Sequence, residues 1–464
     1  MNVWTLTCNG RKANISSFPD LQNYSNIRNL LVIYTNLTEL QNGYVILPHL
    51  PNIEELRLYS NEILVLNKDL INNNTSIREL SLQNNRLTII PRNALEELSN
   101  LRYLDLSGNK MVVIEAFSFR SNPLLEKLYL MKNYIQEIQH HALSGLFNLA
   151  VVGFSDNSVD NFPFEETVNL DALRIIHLEG NDITVIIGNR VSFSNSVYSI
   201  YLEHNSLRSL DDYILISFPK LRHLIAPKNN ISNIGTYAYE MKSHNLSFLN
   251  LNYNALTIFP VSLLRRLPKL QLLSLAWNRL KILPKGTFLE NSYLKRINLA
   301  GNQIHSIHVK SLEGLKSLEQ LDLTYNDLTS LPSDAFNPAK NDFSLLLRGN
   351  NFTCDCNISF LQIWIKKTQF YAHKVMCLIP EFGNLTDVTK FEFDVSCFEG
   401  TSPATLTAGV TLAMTSSSQL ERHALLLYWE VGVVLGVAFV SLLFITIFKC
   451  VLKKYRLHGD VVTR

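Results

Sequence analysis

Residues 101–111 read LRYLDLSGNKM, and the whole chain can be laid out from that stretch. Leu101, Leu104 and Leu106 hold its first, fourth and sixth positions, Asn109 the ninth and Met111 the eleventh. Ile53, Leu56, Leu58, Asn61 and Ile63 make an earlier copy, and Ile77, Leu80, Leu82, Asn85 and Leu87 the next. Later copies begin at Leu125, Leu149, Leu173, Val197, Leu221, Leu246, Leu270, Leu294 and Leu318. The step is 24 residues almost throughout, with 26 from position 27 to 53 and 25 from 221 to 246. A fixed period in this range is the signature of a solenoid, in which each coil buries its apolar face against the next.

The spacing also predicts the unit. Apolar residues at positions four and six around a variable one give the period-2 pattern of a strand with one buried face. So short a strand has to pair with its counterpart in the next copy. The ninth position is asparagine from Asn61 to Asn350 in register, and an amide carries donors and acceptors for the turning backbone. Ordinary surface turns would not recur with that period. The return leg is apolar at position nineteen (Leu95, Phe119, Leu143, Leu264, Phe288), but the sixth copy has Thr167 there and Val152 and Phe154 for leucines, so looser packing is expected in it.

From Ile27 to Phe352 the pattern L-x-x-L-x-L-x-x-N-x-L resembles that of extracellular leucine-rich-repeat proteins, among them Toll-like receptor ectodomains and neuronal leucine-rich-repeat adhesion proteins. The resemblance implies an α/β solenoid, a horseshoe with a concave parallel β-sheet, of about fourteen copies. Residues 353–398, with CDCNISFLQIWIKK followed by Cys377 and Cys397, resemble the family's C-terminal cysteine-rich flanking domain. It implies disulfides Cys354–Cys377 and Cys356–Cys397, and Trp364 as a plug over the last coil. Four cysteines alone allow three connectivities. Four thiolates could also hold zinc, but an oxidising compartment favours disulfides. Residues 1–26 resemble the tail end of an N-terminal cap. Only Cys8 is present and no apolar leader precedes it, so a start downstream of a signal peptide is expected, against a genuine start with a free Cys8.

The end of the chain changes character. Residues 399–424 are rich in Ser and Thr and read as a stalk. Residues 425–448 read as one transmembrane helix, roughly 36 Å long at 1.5 Å per residue. Residues 449–464 form a short tail, and Lys449, Lys453, Lys454 and Arg456 place it on the cytoplasmic side. The expectation is a type I single-pass protein of the plasma membrane with the repeats extracellular. Cys450 is a palmitoylation candidate. Glycosylation sequons stand at Asn14, Asn23, Asn36, Asn73, Asn74, Asn230, Asn245, Asn351, Asn357 and Asn384, all before the apolar segment.

A net charge of +2 is near neutral, so no nucleic-acid footprint is visible and no nucleic-acid partner is expected. No G-x-S-x-G, H-E-x-x-H or phosphate loop occurs, so neither an enzyme nor a cofactor is expected, nor a metal. His140 and His141 are adjacent rather than four apart and fall on a return leg. What remains is binding. The fifth position gives a row from Arg57 to Asp322 in which Tyr129, His177, Tyr201 and Ile225 are the most apolar run, with a dent at Gly153. Tyr198, His204, His223, Tyr253 and Trp277 lie nearby. Exposed aromatics are favoured interface anchors, although strands favour aromatics in any case. The expected ligand is an extracellular protein docked over copies five to eleven. The expected role is adhesion or a co-receptor signalling through a membrane partner. The alternatives are a pattern-recognition receptor lacking its cytoplasmic domain and a non-signalling decoy.

Overall fold

The computed structural model describes residues 4–9, 26–34, 52–66, 76–186, 196–210, 213–235, 244–332, 343–368 and 375–394, with Lys68, Asp334 and Cys397. Contacts divide the chain into Met1–Phe398 and Glu399–Arg464. The expected stalk, membrane helix and tail fall in the second unit, outside the described residues, as does Cys450. Among the described residues no helix is long and apolar enough to cross a membrane.

The spacing of the leucines becomes a ladder. Among the described residues fifteen strands hydrogen-bond in sequence order into one sheet. Within it Tyr103–Asp105 pairs in parallel with Glu79–Ser81 on one side and Lys127–Tyr129 on the other. Leu104 and Leu106 are fully buried, and with their equivalents they form one continuous apolar core from Ile27 to Val388. Truncating one such leucine to alanine costs about 2–5 kcal/mol. Trp4–Asn9 adds the first strand by pairing with Ile27–Ile33.

The asparagine row closes the turns. Asn181 Nδ2 donates to the carbonyls of Phe154 at 3.0 Å and Leu178 at 3.1 Å. Its Oδ1 accepts the Val159 N–H at 3.0 Å, so one side chain serves two coils. Asn85 repeats the pattern with Leu58, Leu82 and Ile63. A second, sparser set was not foreseen. Asn122 donates to Leu95 and Leu98, and Asn291 to Leu264 and Leu267, all at 2.9 Å on the return side.

Position eight turns the chain through left-handed backbone. Asn84, Lys132, Asp156, His204, Lys228, Tyr253, Trp277 and Tyr325 all have φ between +52° and +59°. That conformation costs an L-residue about 1 kcal/mol. In return its N–H reaches the next coil, as Trp277 does to the Ala300 carbonyl at 2.7 Å.

The sixth copy is not loosely packed. Val152, Phe154 and Thr167 are buried, and Thr167 Oγ1 donates to the Phe164 carbonyl at 2.7 Å. Phe154 packs edge-on against Phe162, Phe162 against Phe164, and Phe164 against Phe218. Phenylalanine volume replaces the missing leucines.

The C-terminal end carries the disulfides Cys354–Cys377 and Cys356–Cys397, as the resemblance implied. All four thiols are thereby engaged. A helix, Ser359–Thr368, and the strands Phe352–Thr353, Met376–Leu378 and Leu385–Asp387 extend the core through Ile358, Leu361 and Val388. The side chains of Trp364 and Cys8 lie outside the described residues.

Candidate functional site

Register places the fifth-position row on the sheet as expected. Tyr129 pairs with Gly153, Gly153 with His177, His177 with Tyr201 and Tyr201 with Ile225. The row is recessed, however. Ile225 is buried, and His177 is only 6% exposed. His177 instead stacks on Tyr201, centroids 4.6 Å apart and planes within 15°, and its Nδ1 lies 3.0 Å from Glu179 Oε1. It fixes the orientation of Tyr201. The expected dent at Gly153 is filled, because a β-carbon there would sit 3.1 Å from Tyr129 Cδ1 and 3.3 Å from Met131 Cε. Burial, with Asp105 nearby, raises the Tyr129 hydroxyl pKa, and burial followed by Glu179 raises that of Tyr201. Both present neutral phenols at neutral pH.

Beside this row, Tyr198 meets His223 edge-on, and His223 meets Phe248 in the same way. His223 Nδ1 is 2.9 Å from Ser199 Oγ, and burial, reinforced by Arg222, lowers its pKa. Towards the N-terminal copies the row turns polar. Asp105 is buried, accepts from Tyr103 and Gln83 side chains and from the Ser107 N–H at 2.9 Å, and has its pKa raised by burial.

The projecting feature is a ledge at position eight. Tyr253 and Trp277 are 50% and 46% exposed, and Tyr325 is 49% exposed. Tyr253 and Trp277 stack with centroids 5.7 Å apart, and Trp277 and Tyr325 with centroids 6.4 Å apart. The last two belong to copies two apart. They meet because Gly301 stands between them, where a β-carbon would fall 2.5 Å from Trp277 Cδ2. Tyr325 leans over Gly349 in the same way. His204, exposed, continues the ledge into a hollow lined by Asp156, Glu179, Asp182 and Glu203. Lys228 binds Glu203 at 2.9 Å, and that hydrogen bond raises the lysine pKa. Tyr325 and Phe248 were missed at the sequence level. Counting one period on from Trp277 to Gly301, and again to Tyr325, would have found the first.

Leucine-rich-repeat models match residues 51–111, 123–183 and 292–352, and a BspA-type leucine-rich-repeat model matches 164–271. The chain belongs to the leucine-rich-repeat family. Among its relatives, bovine osteomodulin is 27% identical over 45% of this chain and 49% of its own length. Mouse Toll-like receptor 9 is 25% identical over 47% of this chain and 22% of its own, and mouse podocan 25% over 65% and 46%. The chain thus spans half or less of the length of these leucine-rich-repeat relatives. Among solved structures, a leucine-rich-repeat protein of Leptospira interrogans superposes with TM-score 0.60 at 23% identity, over 76% of this chain and 92% of that one. The LRIM1/APL1C complex gives 0.57 at 16% identity, over 96% and 78%, and the TLR13–ssRNA13 complex 0.52 at 20%, over 82% and 66%. These establish the fold.

Proposed function

We propose that the chain is a protein-binding scaffold displayed outside a cell, held by one helix at 425–448 and acting in adhesion or as a co-receptor. The observation that carries the binding surface is the column Tyr253–Trp277–Tyr325, three half-exposed rings stacked on a rigid ladder. Rings already ordered lose little freedom on docking and bury large area. The exterior location is supported by the two disulfides and by Asn230, Asn245, Asn351, Asn357 and Asn384, sequon asparagines that are all exposed. The other five sequons lie outside the described residues. Toll-like receptor 9, osteomodulin and podocan among its relatives support a receptor or matrix setting. A polyanionic ligand fits poorly beside the carboxylates of Asp156, Glu179 and Glu203.

The test is to express the chain behind a secretory leader, stain intact cells for the repeats, and screen binding against a panel of purified extracellular proteins. Surface staining with binding weakened by Trp277→Ala and Tyr201→Ala supports the reading. Absence of the repeats from the cell surface, or affinity unchanged in both variants, rejects it. A signalling response in the absence of any co-expressed partner would favour the receptor alternative, and ligand capture without response in any cell the decoy.

A further inference from the structure

One cluster lies away from the sheet. His140 and His141 lie on the return leg of the fifth copy, and Glu166 stands 25 residues beyond His141 in the sixth. Glu166 Oε1 is 2.8 Å from His140 Nδ1 and 3.9 Å from His141 Nδ1. The carboxylate is pinned, because the same oxygen accepts the His141 N–H at 2.7 Å. Its side chain is 5% exposed, while those of His140 and His141 are 68% and 49% exposed. A covered carboxylate therefore faces two imidazoles that solvent can reach.

The second imidazole is held from behind. Phe117 stacks on His141, centroids 5.2 Å apart and planes within 16°, and the Phe117 N–H donates to the His141 carbonyl at 2.9 Å. Both residues have left-handed backbone, φ +58° and +66°. In the eleventh copy the same position is Gly286, φ +65°. Two bulky residues thus occupy a conformation that favours glycine, and this places one ring against the other.

From this geometry we infer that His140, His141 and Glu166 form a zinc site with one coordination position open to water or to a side chain of a partner. Zinc held tetrahedrally by bonds of roughly 2.0–2.1 Å needs donors about 3.3 Å apart. The two observed separations, 2.8 and 3.9 Å, bracket that spacing, and all three donor atoms lie within 4.8 Å of one another. Imidazole nitrogens select zinc over calcium and magnesium, which take oxygen donors. Binding needs both rings neutral at Nδ1, and the ion replaces the His140–Glu166 contact.

The test uses the untagged full chain, stripped with a chelator and titrated with zinc in excess magnesium. One ion per chain is expected, with affinity falling at least about tenfold in His140→Ala, His141→Ala and Glu166→Gln. Glutamine keeps an acceptor for the His141 N–H, so that variant separates lost ligation from lost folding. Zinc should raise the melting temperature of the wild type and leave the variants unmoved. Cobalt(II) in the site should show d–d bands without a thiolate charge-transfer band. Absence of zinc binding, zinc retained by a His140→Ala/His141→Ala double variant, or a thiolate band would each overturn the site.

Discussion

Trp277 lies parallel to Tyr253, planes within 5° and centroids 5.7 Å apart, although both residues sit in left-handed turns of different coils. The stacking follows from the ladder. Position eight projects from the same turn in every coil, and the coils are close enough for one ring to cover the next. A pair of this kind contributes about 0.5–1.5 kcal/mol beyond its area.

Replacing Trp277 by alanine should therefore cost the fold about 1 kcal/mol, because nearly half of its surface already faces water. The loss in ligand affinity should be much larger, tenfold or more, if the ledge is the docking surface. Urea unfolding alongside a binding assay separates the two. A variant that unfolds early yet binds normally would make the column purely structural.

Two glycines with nearly the same backbone offer a sharper comparison. Gly301 has φ +66° and Gly286 φ +65°, but a β-carbon at Gly301 meets the Trp277 ring at 2.5 Å while one at Gly286 has nothing within 4 Å. Gly286→Ala should cost only the left-handed strain, about 1 kcal/mol. Gly301→Ala should add displacement of Trp277 to that, visible as a change in tryptophan fluorescence and as weaker ligand binding. Equal behaviour of the two variants would mean that the ring is not held there.

The strand register was legible because the 24-residue period fixes which residues become neighbours, and the row from Tyr129 to Ile225 falls where counting placed it. Exposure along that row was not legible. Filling of Gly153 depends on which way Tyr129 and Met131 lean, and no spacing encodes that or the burial of Ile225. His140 and His141 were set aside, and Glu166 not considered, for a different reason. Helical spacing of four was sought, whereas in a solenoid the useful separation is one turn, and Glu166 lies 25 residues from His141. The same rule would have paired Trp277 with Tyr325 across Gly301.

The buried amides should differ in weight. Asn181 Oδ1 accepts the buried Val159 N–H, and a buried donor left unpaired costs about 1–3 kcal/mol, whereas the Phe154 and Leu178 carbonyls keep Asn157 and Asn205 as donors. Asn181→Leu should thus lose about 1–3 kcal/mol. Asn122→Leu should lose less, because Asn122 donates twice while its Oδ1 has no partner among the described residues. Denaturant midpoints at constant slope would rank them. The reverse order would show that the return-side bonds matter more than those beside the sheet.

Asp105 should give the fold an acid-side signature. Burial raises its pKa, against the lowering effect of hydrogen bonds from Ser107, Gln83 and Tyr103. With the folded pKa above the unfolded one, the native state binds the extra proton in the window between them. The corresponding stability is fully present below the unfolded value near 3.9 and is lost as pH rises through the folded one. Asp105→Asn removes the charge, and Gln83 can turn its amide to accept from the new NH2. That variant should be more stable than the wild type at pH 7, with the advantage shrinking as pH falls toward about 4. Urea unfolding at the two pH values measures it. An advantage that grows on acidification would mean that the Asp105 carboxylate is held ionised by its hydrogen bonds, and that burial is the lesser influence.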